Sequence, residues 1–162
     1  MGNNKEKTVK ASHVEKIELV LPNDTNVLGN LLGGKLMHWI DIAAALSASR
    51  HCNSVAVTAA VDDLNFHHPI KLGDMVILKA AVNRAFGTSM EVGVRVEIEN
   101  YITGEKQHSN SAYLTFVSID MDTLKPKAVQ PIIPETQEER DRYERALKRR
   151  EQRLKEKHGI IH

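Results

Sequence analysis

Between Leu36 and Ala48 nearly every position is apolar: Leu36, Met37, Trp39, Ile40, Ile42, Ala43, Ala44, Ala45, Leu46 and Ala48. Wound at about 3.6 residues per turn, these side chains cover almost the whole circumference of a helix. Such a helix is buried on most sides. The chain of 162 residues is long enough for one domain built around it.

The segments that must cover this helix read as strands. From His13 to Leu21 apolar residues alternate, with Ile17, Leu19 and Leu21 on one side. From Ser54 to Phe66, Val55, Val57, Ala59 and Val61 share a face, and Leu64 and Phe66 restart in the other register, which predicts a bulge near Asp62-Asp63. Val76, Leu78, Ala80 and Val82 form a third run and Met90 to Ile98 a fourth, opposite Glu91, Gly93, Arg95, Glu97 and Glu99. Ala112 to Ile119 forms a fifth. Connections such as Phe86-Gly87-Thr88-Ser89 and Thr103-Gly104-Glu105 are too short for helical crossovers, so these strands pair antiparallel. The economical arrangement is an α+β fold in which a five-stranded antiparallel sheet curls around the helix. Apolar helix surface left over then calls for a second subunit about a two-fold axis.

Composition removes several function classes. Lys plus Arg number 22 against 21 Asp plus Glu, which lacks the unopposed basic patch of a duplex-binding protein, so no nucleic-acid partner is expected. No apolar run spans a bilayer, and the start Met1-Gly2-Asn3-Asn4-Lys5-Glu6 has neither a signal-peptide core nor the hydroxyl residue that myristoylation at Gly2 wants, so a cytoplasmic protein without membrane contact is expected. The single cysteine, Cys52, excludes an intrachain disulfide and a multi-thiolate zinc site.

Asp41 is the residue that interrupts the apolar helix. A buried carboxylate must be partnered, protonated or facing a wet cavity. Two readings stand from the helix alone: an ion pair with His38, three residues earlier, or a functional carboxylate. Just before the helix lies Asn26-Val27-Leu28-Gly29-Asn30-Leu31-Leu32-Gly33-Gly34. Paired glycines at a helix start leave backbone N–H groups open to a developing negative charge, while the bland reading is a glycine-rich turn with Asn30 satisfying backbone groups. Gly33 lies eight residues before Asp41, about 12 Å along the helix, so one chain does not readily bring Asn30 and Asp41 to one reacting carbonyl. Two chains across an interface do. His51-Cys52 lacks an acidic group to orient the imidazole, and His67-His68 lacks metal-ligand spacing, so neither a thiol dyad nor a metal site is expected.

Several blocks together are specific in order and spacing: Asp24-Thr25-Asn26-Val27-Leu28-Gly29-Asn30 with Gly33-Gly34, Trp39-Ile40-Asp41 with Ala43-Ala44, Val57-Thr58-Ala59, Asn65-Phe66 with Pro69, Gly73-Asp74, and Gly87-Thr88-Ser89-Met90-Glu91-Val92. Over roughly residues 12–135 the chain resembles the acyl-CoA hydrolases of the hotdog-fold thioesterases. The resemblance implies a hotdog domain over 12–128, with an extended linker and charged helix over 129–162. It implies hydrolysis of acyl-CoA to free fatty acid and coenzyme A, with catalytic Asp41 and Asn30 supplied by opposite subunits and the backbone at Gly33 and Gly34 as oxyanion site. Arg84, Thr88 and Ser89 resemble positions that contact coenzyme A. The implied assembly is a dimer at minimum, in this branch a trimer of dimers. No metal or cofactor is implied beyond coenzyme A as part of substrate and product. The rival is a non-catalytic acyl-CoA binding protein on the same fold.

Residues 129–134, Val-Gln-Pro-Ile-Ile-Pro, run extended because each proline restricts its own φ and its predecessor. Glu135 to Lys157 then reads as a charged helix with a thin stripe of Tyr143, Leu147 and Leu154. It is either a solvated helix lying on the domain or a neighbour, or, through its late excess of Lys and Arg, a surface for an anionic ligand.

Overall fold

The period-two segments become the strands of one curled sheet. The computed structural model of the chain describes residues 5–62 and 64–159. Gly2, weighed above for lipidation, and Asp63, beside the expected bulge, lie outside the described residues. The elements are β1 (Lys7–Thr8), β2 (Val14–Leu19), α1 (Gly33–Cys52), β3 (Val55–Val61), β4 (Met75–Phe86), β5 (Ser89–Glu99), β6 (Lys106–Ile119), β7 (Ile132–Ile133) and α2 (Gln137–Gly159). Five strands form an antiparallel sheet in the order β2-β4-β5-β6-β3. Because β2 and β3 are its two edges, α1, which joins them, must cross the concave face.

Alternation decides what that face carries. Val76, Leu78, Ala80 and Val82 of β4, Met90, Val92, Val94 and Val96 of β5, and Ala112, Leu114 and Phe116 of β6 are buried against Leu36, Trp39, Ile40, Ala43, Ala44 and Ala48 of α1. Each large side chain so buried contributes about 1.5–3 kcal/mol. The far side of α1 is less covered, with Leu46 51% exposed in the single chain.

Three features depart from the alternation pattern. The apolar side of β2 points away from the helix, leaving Ile17 and Leu19 exposed. The bulge in β3 lies between Thr58 and Ala60, upstream of the expected position. A second, two-stranded parallel sheet pairs β1 with β7, tying the N-terminal segment to the proline-rich connection and placing Val9, Val129 and Ile132 in the core.

The helix α2 lies on the opposite, convex face of the sheet. Its inward residues there are the buried Glu139 and Ala146, the half-buried Tyr143 and Leu147, and the cations Arg149 and Arg153. Arg149 reaches Glu91, on the face of β5 opposite to the core residues. No helix among the described residues is long and apolar enough to cross a membrane.

Candidate active site

Asp41 sits midway along α1 and Thr58 on β3, opposite the buried Phe116 of β6 and therefore on the concave face. Thr58 Oγ1 donates a hydrogen bond of 2.6 Å to Asp41 Oδ1. A hydroxyl donor of this kind fixes the orientation of a carboxylate. The alternative His38 pair is not formed among the described residues; His38 is exposed. Thr58 has no assigned role in the sequence reading, although it is the one hydroxyl in the run Val55–Val61.

The asparagine loop is built differently from expectation. Asn26, not Asn30, satisfies the backbone: its Oδ1 accepts from the N–H of Leu28 at 2.9 Å and of Asn30 at 3.2 Å. Gly29 takes a positive φ of 78° to close the turn. The loop rests on the segment before β4 through Leu31 N–H to Ile70 C=O and Leu72 N–H to Gly29 C=O. Asn30 is thus fixed by its backbone at the mouth of α1, with no side-chain hydrogen bond among the described residues.

The helix begins at Gly33 with Leu32 as its uncapped N-terminal flank. Among the described residues nothing accepts from the N–H groups of Gly33 and Gly34, as is usual for a first turn. A Cβ on Gly33 would lie 3.4 Å from Phe66 Cε2, whereas one on Gly34 would meet open space. A methyl at position 33 would make only ordinary contact with Phe66, so packing within the chain demands glycine at neither position.

Arg84, Thr88 and Ser89 gather around the two-residue hairpin between β4 and β5, where Gly87 holds φ at +64°. Arg84 and Ser89 face α2. Arg84 lies 3.9 Å from the Tyr143 ring centroid and donates to the Tyr143 carbonyl, and Ser89 Oγ accepts from Arg150 at 3.4 Å. Thr88 is exposed and gives only its carbonyl, to Ser118 N–H at 3.0 Å. Ser89 stands opposite Val117, which stands opposite Val57 on β3, so the hairpin is two strands, about 10 Å, from the strand of Thr58.

His51 and Cys52 form no dyad: His51 Nε2 meets Gln130 C=O at 2.6 Å, and Cys52 Sγ points to Ser54 C=O. Burial holds the His51 imidazole below its ordinary range, against the pull of the Gln130 bond. Among the described residues no group of three His, Cys, Asp or Glu side chains is placed to hold a metal.

Two of the late basic residues of α2 are spent on this chain's own carboxylates. Arg149 pairs with Glu91, and Arg153 with Asp62. Neither acid stands out in sequence, because the outward face of a strand is ordinarily solvated.

The thioesterase superfamily domain matches residues 28–103. An uncharacterized acyl-CoA thioester hydrolase of Bacillus subtilis is 41% identical over 148 residues, 91% of this chain and 86% of that one. Mouse acyl-coenzyme A thioesterase 11 is 40% identical over 150 residues; the match covers 92% of this chain but 25% of the mouse protein. Among solved structures, an apo hexameric acyl-CoA thioesterase superposes with a TM-score of 0.90 at 41% identity, over 94% of this chain and 97% of that one. An acyl-CoA hydrolase of Staphylococcus aureus, in complex with butyryl coenzyme A, coenzyme A and coenzyme A disulfide, gives 0.86 at 35% identity over 97% and 98%. The same enzyme has been solved with alanine in place of one aspartate, one threonine or one asparagine.

Proposed function

This chain belongs to the acyl-CoA hydrolases of the thioesterase superfamily, and from that membership we propose that it hydrolyses acyl-CoA thioesters to a free fatty acid and coenzyme A. The observation that carries the site is the 2.6 Å hydrogen bond from Thr58 to Asp41, a carboxylate standing alone on an apolar helix. Asp41 acts as general base. It takes a proton from water, whose oxygen adds to the thioester carbonyl carbon. The resulting oxyanion is bound by the backbone N–H of Gly34 at the positive end of α1. Collapse of the tetrahedral intermediate breaks the C–S bond, and the departing sulfur takes up a proton. A positioned base contributes about 10²–10⁴-fold and one oxyanion donor about 10²–10³-fold.

Asn30, from the partner subunit, positions water or thioester. In the S. aureus enzyme the altered aspartate and threonine are 17 residues apart, like Asp41 and Thr58. The altered asparagine there precedes the aspartate by fifteen, which is the separation of Asn26 from Asp41. Asn26 therefore stands beside Asn30 as a candidate for the same role. Arg84, Thr88 and Ser89 are proposed to meet the coenzyme A portion, with Thr88 the most accessible of the three.

The assembly is proposed as a dimer, and as a trimer of dimers by likeness to the hexameric relative. The exposed edge of β3, with Val55, Val57 and Val61 each more than 40% exposed, supports a partner there. We place the reaction in the cytoplasm, in keeping with a lone free thiol.

The test is release of free thiol from short-, medium- and long-chain acyl-CoAs by wild type and Asp41→Ala side by side. A loss of about 10²-fold or more in the variant is expected. Full activity in Asp41→Ala would remove the assigned base, and inactivity of the wild type on every substrate would favour an acyl-CoA binding protein.

A further inference from the structure

Four residues separate Thr58 from Asp62, a spacing that in a regular strand puts both side chains on one face. Here they lie on opposite faces. Ala59 is left over between the pairs Thr58 with Phe116 and Ala60 with Thr115, and this bulge reverses the alternation. Thr58 faces α1 and Asp41. Asp62, whose N–H donates to Tyr113 C=O at 2.9 Å, turns its carboxylate to the convex face, where Arg153 Nη1 reaches its two oxygens at 3.2 and 3.0 Å.

Arg153 is presented by a firmly held helix. One turn earlier Arg149 donates to both oxygens of Glu91, at 3.0 and 2.7 Å, and its guanidinium lies 3.7 Å from the centroid of the Tyr113 ring. The Tyr113 carbonyl is the one that takes the Asp62 N–H. By contrast, β3 is an edge strand, laddered within this chain only to β6 and interrupted by its bulge. A bulge interrupts the ladder that fixes register, and a slip of one residue turns the hydroxyl of Thr58 away from Asp41.

We propose that α2 is a positioning element for the hydrolysis: Arg153, acting through Asp62, fixes the register of β3 so that Thr58 stays bonded to Asp41. Arg153 and Asp62 are both positioning residues, acting through Thr58 rather than on the thioester. The inference rests on the reading of Asp41 and Thr58 given above.

The test is a double-mutant cycle on the full chain. Acyl-CoA hydrolysis is measured for wild type, Arg153→Ala, Asp62→Asn, Thr58→Ala and the two doubles with Thr58→Ala, with helix content and subunit association followed on the same samples. In the wild-type background Arg153→Ala and Asp62→Asn are expected to lower kcat about tenfold while KM stays within about twofold. In the Thr58→Ala background neither lowers kcat further, because the relationship they protect is already gone. Exchanging the charges, Asp62→Arg with Arg153→Asp, regains much of the loss. Unchanged kcat in the single variants overturns the proposal. So does an equal loss in both backgrounds, or a rise in KM with kcat kept, which would make Arg153 a substrate contact. If Arg153→Ala does not fold, Asp62→Asn and Arg153→Lys complete the cycle. Undiminished hydrolysis by Asp41→Ala would instead overturn the reading of the site, independently of the Arg153 result.

Discussion

Glu91 and Arg149 form a two-pronged ion pair in which the carboxylate is wholly buried and the guanidinium retains 24% of its side-chain exposure. Asn83 Nδ2 adds a third hydrogen bond to Glu91 at 3.0 Å. The pair sits under α2 and ties that highly charged helix to the convex face.

Breaking that pair from one side is expected to be costly. Arg149→Ala strands a buried carboxylate, for which a loss of about 3 kcal/mol is the lower end of the usual range. Glu91→Gln, which keeps the shape and the Asn83 contact but not the charge, is expected to lose less. Denaturant unfolding of both variants checks the order; a milder effect from Arg149→Ala than from Glu91→Gln would mean that Glu91 finds another partner.

Gly34 separates folding from chemistry. Because a Cβ there meets no heavy atom of the described residues within 4 Å, Gly34→Ala should leave stability unchanged or raise it by up to about 1 kcal/mol. If its N–H holds the developing oxyanion, the added methyl obstructs the thioester and kcat falls by about tenfold or more. Thermal melting and acyl-CoA turnover on one preparation decide it, and retained kcat would move the oxyanion site elsewhere.

His51 gives the fold a pH dependence of definite sign. Its imidazole is held down chiefly by burial, and its Nδ1 has no hydrogen-bond partner among the described residues. The unfolded chain, with an ordinary histidine near 6.5, therefore binds the proton more readily than the folded one. The corresponding stability is fully present above that value and is lost progressively as pH falls from it through the lower folded value. Denaturant midpoints at pH 7.5 and 5.5 should differ more for wild type than for His51→Gln; equal differences would assign the acid sensitivity to other groups.

Legibility in the sequence followed the physics of each element. The runs Val76 to Val82 and Met90 to Ile98 announce their burial because one face packs on α1 and the other does not. β1 and β7 give no such signal: each is two residues long, and their pairing depends on chain segments more than a hundred residues apart. Asp41 was legible because a carboxylate on an apolar helix violates local solvation, whereas the partner that orients it, Thr58, is an ordinary strand residue until α1 is laid across it. Glu91 and Asp62 were hidden for the same reason, since an acid on the outer face of a strand signals burial only after α2 covers it.

Subunit sharing of the site makes the last prediction. If Asp41 and Asn30 meet across the interface, Asn30→Ala and Asp41→Ala are each nearly inactive alone, yet a mixed dimer of the two contains one site with both wild-type residues and one with neither. Coexpression in equal amounts places about half of the dimers in mixed form, and about a quarter of wild-type activity returns. A site contained within one chain gives no such recovery. The same mixing with Asn26→Ala in place of Asn30→Ala asks which asparagine takes part: recovery with the Asn26 variant, and near-normal activity of Asn30→Ala alone, would transfer the role to the residue that closes the loop. Val57→Lys, which puts a charge on the exposed edge of β3, should weaken both the association and the recovery together, as read by sedimentation and thiol release on the same mixtures.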